Sequence, residues 1–427
     1  MPASSELPRR GDVQADAADR AGRAGERSPA MRWSPADCEG VAPPAIAAAL
    51  LRRGIEASPD NPVLLAKLAG VQLSRYDFEG AAANLEAALR LRQADCDLRL
   101  RLAGVLNVLG RHEEALDLLA ADPLPRHDRG LALEALGRAG QAEAEYRAVL
   151  KDEPHDRVAC RKLCRMLRGS GRRAELLETC EGLHGRGVRH TQLVSDWGIA
   201  LALNGKAEAA RAILVDRGRI REVRLPVPEG WDSLESFNAA LAGEILANPY
   251  PVSDVPTPEA ANRGSSRVHH LLAGKAPAMI RALLRTLERV VEAEAPPRRG
   301  PFDPWAEARP RAARLQAWGL VQRSGDYEEW HIHRDGWLSG VYYVQVPGSV
   351  SAEAEGRGCI EYGPPSAVAR AAPGLVAVQR YRPSEGMLLL APSHYPHRTI
   401  PTGAPTHRIS FAFDVVPDEG VSPPEAA

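Results

Sequence analysis

Apolar and polar positions follow two different periods along this chain. From about residue 45 to 218 the apolar positions recur at helical spacing, and one short pattern returns: LGRHEEALDLL (109–119), LGRAGQAEAEY (136–146), GSGRRAELLET (169–179) and LNGKAEAARAI (203–213). Each holds a Gly, then Arg or Lys, then an amphipathic run. The pairs start at Gly110, Gly137, Gly171 and Gly205, and five residues on stand Ala115, Ala142, Leu176 and Ala210. An earlier unit, SRYDFEGAAANLEAAL, puts Ala81 in that place, so the steps are 34, 27, 34 and 34. The short step coincides with ADPLPRHD, which predicts a unit that has lost part of a helix or its turn. Gly predicts a left-handed end to the first helix of each pair. Small residues such as Ala81 and Ala88 let the second helix approach closely, and Pro154 closes one unit.

After residue 218 the pattern changes. LPVPEGWDS and NPYPVSDVPTPEAANRGSS read as loops, SLESFNAALAGEIL as a helix over 233–246, and APAMIRALLRTLERVVEA as a longer one over 276–293. In the longer helix Met279, Leu283, Leu287 and Val290 share a stripe. From about Ala312 short β-branched or aromatic runs follow: ARLQAWGLVQ, SGVYYVQVP, GLVAVQRYRP, GMLLLAP and HRISFAFDVV. Several short strands in that length predict a small sandwich or jelly-roll barrel with helices buttressing one sheet.

Composition narrows the classes. Lys+Arg 54 against Asp+Glu 55 gives a net charge of −1, so no global field attracts nucleic acid or an anionic membrane. No apolar run reaches the length of a membrane span. The six cysteines (38, 96, 160, 164, 180, 359) form no framework, as expected in a reducing compartment, and the N-terminus lacks a signal-peptide core. The protein is expected to be cytoplasmic. Cys160 and Cys164, one helical turn apart, are read as small apolar residues facing a helix partner.

The helical stretch resembles a tetratricopeptide (TPR) array, since three of its four steps equal that repeat's period. The resemblance implies an α-solenoid over 45–218, either presenting a groove for a peptide or protein partner or bracing the downstream domain. Residues 1–44 and 419–427 are read as disordered, and 219–418 as the β domain.

Five of the twelve histidines lie in the last 97 residues. His331 and His333 are two apart, which on an extended segment puts both on one face. Asp335 would continue that face unless the turn at Gly336 bends it away. His397 follows a strand and a Pro-Ser turn, and Arg408 and Ser410 are again two apart on one strand face. Neutral imidazoles suit Fe(II), and three protein ligands on one side leave positions open for a cosubstrate and O2. A 2-oxo acid's far carboxylate needs a fixed cation, which the Arg fork supplies. His394, His407, His269 and His270 are read as packed or surface residues, and Trp318, Trp330 and Trp337 as wall or core.

The blocks GDYEEWHIHRDGWLSGVYYVQVP and GMLLLAPSHYPHRTIPTGAPTHRISFAFDV resemble 2-oxoglutarate/Fe(II) oxygenases of the double-stranded β-helix superfamily, within it bacterial proteins with TPR repeats in front. The resemblance spans roughly residues 225–417. It implies a multidomain protein, a TPR α-solenoid followed by a jelly-roll dioxygenase domain. It also implies Fe(II) on His331, His333 and His397, with 2-oxoglutarate held by Arg408, Ser410 and the inward-facing tyrosine, taken as Tyr343. No catalytic residue beyond the metal ligands is expected. The wider superfamily uses HxD or HxE, so His333 departs from it, and Asp335 stands as the alternative ligand. The implied reaction is hydroxylation of a substrate recruited by the repeats, a peptide or protein. The alternatives are a small-molecule hydroxylase of a biosynthetic pathway and a non-catalytic TPR scaffold with a degenerate β domain.

Overall fold

The computed structural model describes residues 30–36, 44–120, 126–249, 251–253, 261–269, 271–272, 278–298, 300–352 and 356–418. The expectations for 1–29, 37–43 and 419–427, and those for Cys38 and His270, lie outside the described residues. Among the described residues no helix is long and apolar enough to cross a membrane.

The helical part runs α1 (Pro44–Ala57), α2 (Pro62–Leu73), α3 (Phe78–Leu91), α4 (Cys96–Val108), α5 (His112–Leu119), α6 (His127–Ala135), α7 (Ala139–Asp152), α8 (Arg157–Gly169), α9 (Arg173–Gly185), α10 (Thr191–Leu203) and α11 (Ala207–Ile213). From α2 onward these form five antiparallel pairs. Gly110, Gly137, Gly171 and Gly205 all stand near φ +74, at 75, 74, 74 and 73, where a Cβ would be strained. Ala81, Ala115, Ala142, Leu176 and Ala210 are all fully buried, so the repeat phase marks the positions where each pair closes. The short step has a direct cause: α5 and α6 have 8 and 9 residues, while α2, α4 and α7 have 12, 13 and 14.

The strands are β1 (Arg32–Trp33), β2 (Arg221–Arg224), β3 (Val252–Ser253), β4 (Asn262–Arg263), β5 (Ser266–Val268), β6 (Ala312–Gln322), β7 (Tyr327–Glu328), β8 (Leu338–Gln345), β9 (Ile360–Tyr362), β10 (Gln379–Tyr381), β11 (Met387–Pro392), β12 (His397–Thr399) and β13 (Arg408–Pro417). The major sheet is ordered β2-β11-β8-β13-β6-β5-β3, and β10-β9-β12 forms a minor sheet. The curled pair is a double-stranded β-helix, with Tyr343, Leu389, Ala391, Ile360, Tyr362 and Tyr381 filling its inside. Helices α12 (Leu234–Leu246) and α13 (Ala278–Glu294) buttress the other face. Tyr342 turns outward, donating to Asn238 Oδ1 of α12 at 2.6 Å.

One feature of the architecture differs from the sequence reading, and a second was not addressed by it. Residues 30–36 are not a free tail: β1 pairs in parallel with β6, and Met31 and Ala36 are buried. Met31, Trp33 and Ala36 give this segment the apolar surface to dock. Second, α10 is buried over Thr191–Ala202, where a repeat helix ordinarily keeps one face in water. The β domain covers that face. Trp197 meets Phe302 edge-on, with ring centroids 5.1 Å apart, and Thr191 donates to the Gly336 carbonyl. The core of α7–α11 is therefore continuous with that of the β domain, while α1–α5 and part of α6 have a core of their own.

Candidate metal centre

The segment after β7 carries His331 and His333, and His397 opens β12. His331 and His397 form an antiparallel bridge between these stretches. The three rings face one another: His331 and His397 centroids lie 4.3 Å apart, His333 and His397 4.9 Å, and the Nε2 atoms of His331 and His333 3.2 Å. One nitrogen from each ring lies within 4.8 Å of the others.

Each Nδ1 is pinned by an acceptor behind it. His331 Nδ1–H donates to the Glu329 carbonyl at 2.7 Å, His397 Nδ1–H to the Tyr395 carbonyl at 3.0 Å, and His333 Nδ1–H to Asp414 Oδ1 at 2.6 Å. That fixes the tautomer and leaves three Nε2 lone pairs directed inward, the donor set an Fe(II) ion takes. Burial, then the neighbouring His397 and His333, holds His331 well below the ordinary histidine range. Burial and then His333 bring His397 down to about 3. At His333 burial also lowers, but the Asp414 carboxylate prevails and the pKa is raised.

Asp335 is not brought to this site. Its side chain is 65% exposed and accepts from Arg157 of α8 at 2.8 Å, because the chain turns away at Asp335-Gly336. Gly336 is needed for that turn to nest, since a Cβ there would fall 2.6 Å from Ser393 Oγ and 3.0 Å from Asp414 Cβ.

Arg408, Ser410, Ala412 and Asp414 alternate onto the inner face of β13. Arg408 is fully buried, with Nε and Nη2 donating to Gln322 Oε1 at 2.9 and 2.7 Å and Nη1 to the Gly358 carbonyl at 2.7 Å. Among the described residues no carboxylate pairs with it. Tyr343, cross-strand neighbour of Ser410, has a buried hydroxyl without a hydrogen-bond partner among the described residues. Burial raises the Tyr343 pKa to about 12, against the pull of the Arg408 charge. A buried guanidinium short of an anion beside a buried hydroxyl short of a partner fits the far carboxylate of 2-oxoglutarate.

The cavity around the imidazoles is walled by Trp318, Leu320, Val341, Ile360 and Tyr362, and by the ion pair Arg267–Glu328 at 3.1 Å. Sequence reasoning missed Asp414, Arg267 and Glu328. For Asp414 the signal was present, since it continues the every-second-residue series from Arg408 and Ser410. Cys160 and Cys164 also lie near Asp196. There, however, Asp196 takes Arg168 at 3.2 Å and Gln192 at 2.7 Å, and the thiols fill the contact between repeat helices. His394 is buried and donates to the Ile213 carbonyl at 2.7 Å, as a packed residue does.

Residues 316–414 match the family model described as "Putative 2OG-Fe(II) oxygenase". That stretch holds His331, His333, His397, Arg408 and Asp414, so the part of the chain similar to this family is the part that carries the site. Solved structures similar to this chain include a prolyl-4-hydroxylase from Pseudomonas putida, 14% identical, covering 51% of this chain and 99% of that one, with a TM-score of 0.32. Another is a 2OG-Fe(II) oxygenase family oxidoreductase from Burkholderia pseudomallei, 12% identical, covering 50% and 90%, with a TM-score of 0.32. The helical part is similar to YrrB, a TPR protein with an unusual peptide-binding site, 19% identical, covering 38% and 88%, with a TM-score of 0.29. No curated protein sequence matches the chain.

Proposed function

We propose that the protein is an Fe(II)/2-oxoglutarate-dependent dioxygenase hydroxylating a peptide or protein. The observation that carries this reading is the combination of three inward Nε2 atoms with a buried guanidinium that has no anion among the described residues. When bound, Fe(II) with 2-oxoglutarate and O2 supplies the oxidation of a substrate C–H bond, 2-oxoglutarate leaving as succinate and CO2. His331, His333 and His397 would hold the metal from one side, leaving the other open. Arg408 would hold the far carboxylate through its unused N–H groups, with Tyr343 and Ser410 beside it. Trp318, Val341, Ile360 and Tyr362 keep water from the centre. No side chain is needed as a general base.

The substrate reading is supported by a polar cleft between the two domains. The starts of α6 and α8 form one wall, with His127, His155 and Arg157, and Arg314, Gln316 and Asp335 form the other. Gln316 pairs across β13 with Asp414, so the cleft adjoins the residues that orient His333. A chain segment held by the first helices of the repeats would enter beside the metal, at a raised local concentration.

The test is 2-oxoglutarate turnover to succinate with Fe(II) and ascorbate, without added substrate. The reading expects slow succinate formation that His397→Ala abolishes. Bound zinc without succinate, unchanged by that substitution, would leave a scaffold instead.

A further inference from the structure

Asp414 carries a charge that the fold does not otherwise use. It sits on the inner face of β13, 5% exposed, and among the described residues no Lys or Arg pairs with it. Oδ1 accepts two short bonds, from His333 Nδ1 and from Ser339 Oγ, each at 2.6 Å. Since the Ser339 proton goes to Asp414, Ser339 Oγ accepts in turn from Ser393 Oγ at 2.7 Å. The donors converge on Asp414: Ser393 gives to Ser339 and Ser339 to Asp414, while His333 gives to the same oxygen from the other side. Trp318, at 5.6 Å between ring centroids, closes another side of that imidazole. The other two candidate ligands lean on neutral carbonyls, so His333 alone has an anion behind it.

We infer that Asp414 is a positioning residue that supplies a negative charge to a three-histidine centre, acting through His333 rather than on the metal. A carboxylate behind an imidazole makes the ring a stronger donor and fixes its plane. A buried carboxylate whose only cation partner is an imidazole also gains most when that imidazole holds a divalent cation. The inference rests on the metal-binding reading above.

The experiment is Co(II) titration of the full chain, paired with the charge-transfer absorbance of the anaerobic Fe(II)–2-oxoglutarate form. Asp414→Asn keeps volume and an acceptor oxygen while removing charge. Co(II) affinity should fall about 10–100-fold with unchanged circular dichroism, and the absorbance band should shift. Asp414→Glu should recover part of the affinity. Affinity for Asp414→Asn within about threefold of the unaltered chain, well short of the loss expected of such a partner, would overturn the inference. No Co(II) binding by the unaltered chain would remove the metal-centre reading, and this inference with it. Should Asp414→Asn fail to fold, nitrogen and proton NMR of the zinc form of the unaltered chain decides. The His333 Nδ1–H should resonate downfield of those of His331 and His397, and coincidence of the three would count against the idea.

Discussion

His331 and His397 exchange backbone hydrogen bonds in both directions, each at 3.0 Å. Two candidate ligands from distant parts of the chain are thus registered by main chain, whatever stands at their side chains. His397→Ala should keep the bridge and lose the metal. Metal per chain after dialysis should fall from near one to near zero. The metal-free melting temperature should barely move. The added stability that Co(II) gives the unaltered chain, about 2.7 kcal/mol at a hundred times Kd, should vanish.

Arg408 behaves as half of an ion pair. Its present acceptors, Gln322 and the Gly358 carbonyl, are neutral, so the fold bears the desolvation of a cation until an anion arrives. 2-Oxoglutarate should therefore raise the melting temperature of the metal-loaded unaltered chain, and Arg408→Ala should abolish that rise. Tyr343→Phe should weaken 2-oxoglutarate binding by about 1.5–3 kcal/mol, the worth of a hydrogen bond to a charged group. Calorimetric titration measures both. Unaltered affinity in Arg408→Ala would place the cosubstrate elsewhere.

Acid should loosen the joint between solenoid and β domain. His394 joins them through the Ile213 carbonyl, and burial holds its pKa down to about 4. An unfolded histidine takes a proton near pH 6.5, so between 6.5 and 4 protons bind the unfolded chain preferentially. The stability from the neutral ring is complete above about 6.5 and is lost as the pH falls toward 4, by up to about 3 kcal/mol. His394→Gln keeps a donor and cannot titrate. The gap in melting temperature between the unaltered chain and this variant should shrink or reverse from pH 7 to pH 4.5.

The repeat phase was legible because glycine at a left-handed position and alanine at a closing contact are forced by sterics. Its one irregular start is instructive. In the first unit Tyr76 occupies the left-handed position at φ 59, so no Gly-Arg pair marks it, and only Ala81 keeps the count. Tyr76→Gly should stabilise by about 1 kcal/mol, less whatever the ring gains against Phe78 at 6.2 Å. A thermal melt reads the difference.

The histidine set was legible for a similar reason: two-residue spacing places side chains on one face of an extended segment. What spacing could not supply was the direction of the chain after His333, where Gly336 nests against Ser393 and sends Asp335 to Arg157. Nor could it show which face of α10 meets the β domain. TQLVSDWGIALAL keeps a polar stripe in Gln192, Ser195 and Asp196, yet that stripe too is buried, and the sequence alone does not say what covers it.

That covered face changes how recruitment must be tested. Removing all the repeats would expose α10's partners, Phe302 and the short helix Pro304–Glu307 that carries Trp305, and the β domain should aggregate for want of its core. Trp197→Ala probes the same seam in the intact chain. Losing a buried indole that contacts both Phe302 and His184 should cost about 3–5 kcal/mol. The separate core of the first repeats offers a cleaner cut. Deleting 44–125 and joining the preceding residues to Arg126 by a flexible linker keeps β1, α6–α11 and the shared core, Met31 and Ala36 included, while dropping α1–α5. The shortened chain should fold and form succinate without substrate at the rate of the full chain. If the first repeats hold the substrate, its turnover of a true substrate should show a raised KM and a kept kcat, since binding energy is lost and chemistry is not. An equal KM would confine recognition to the cleft beside His127 and Arg157.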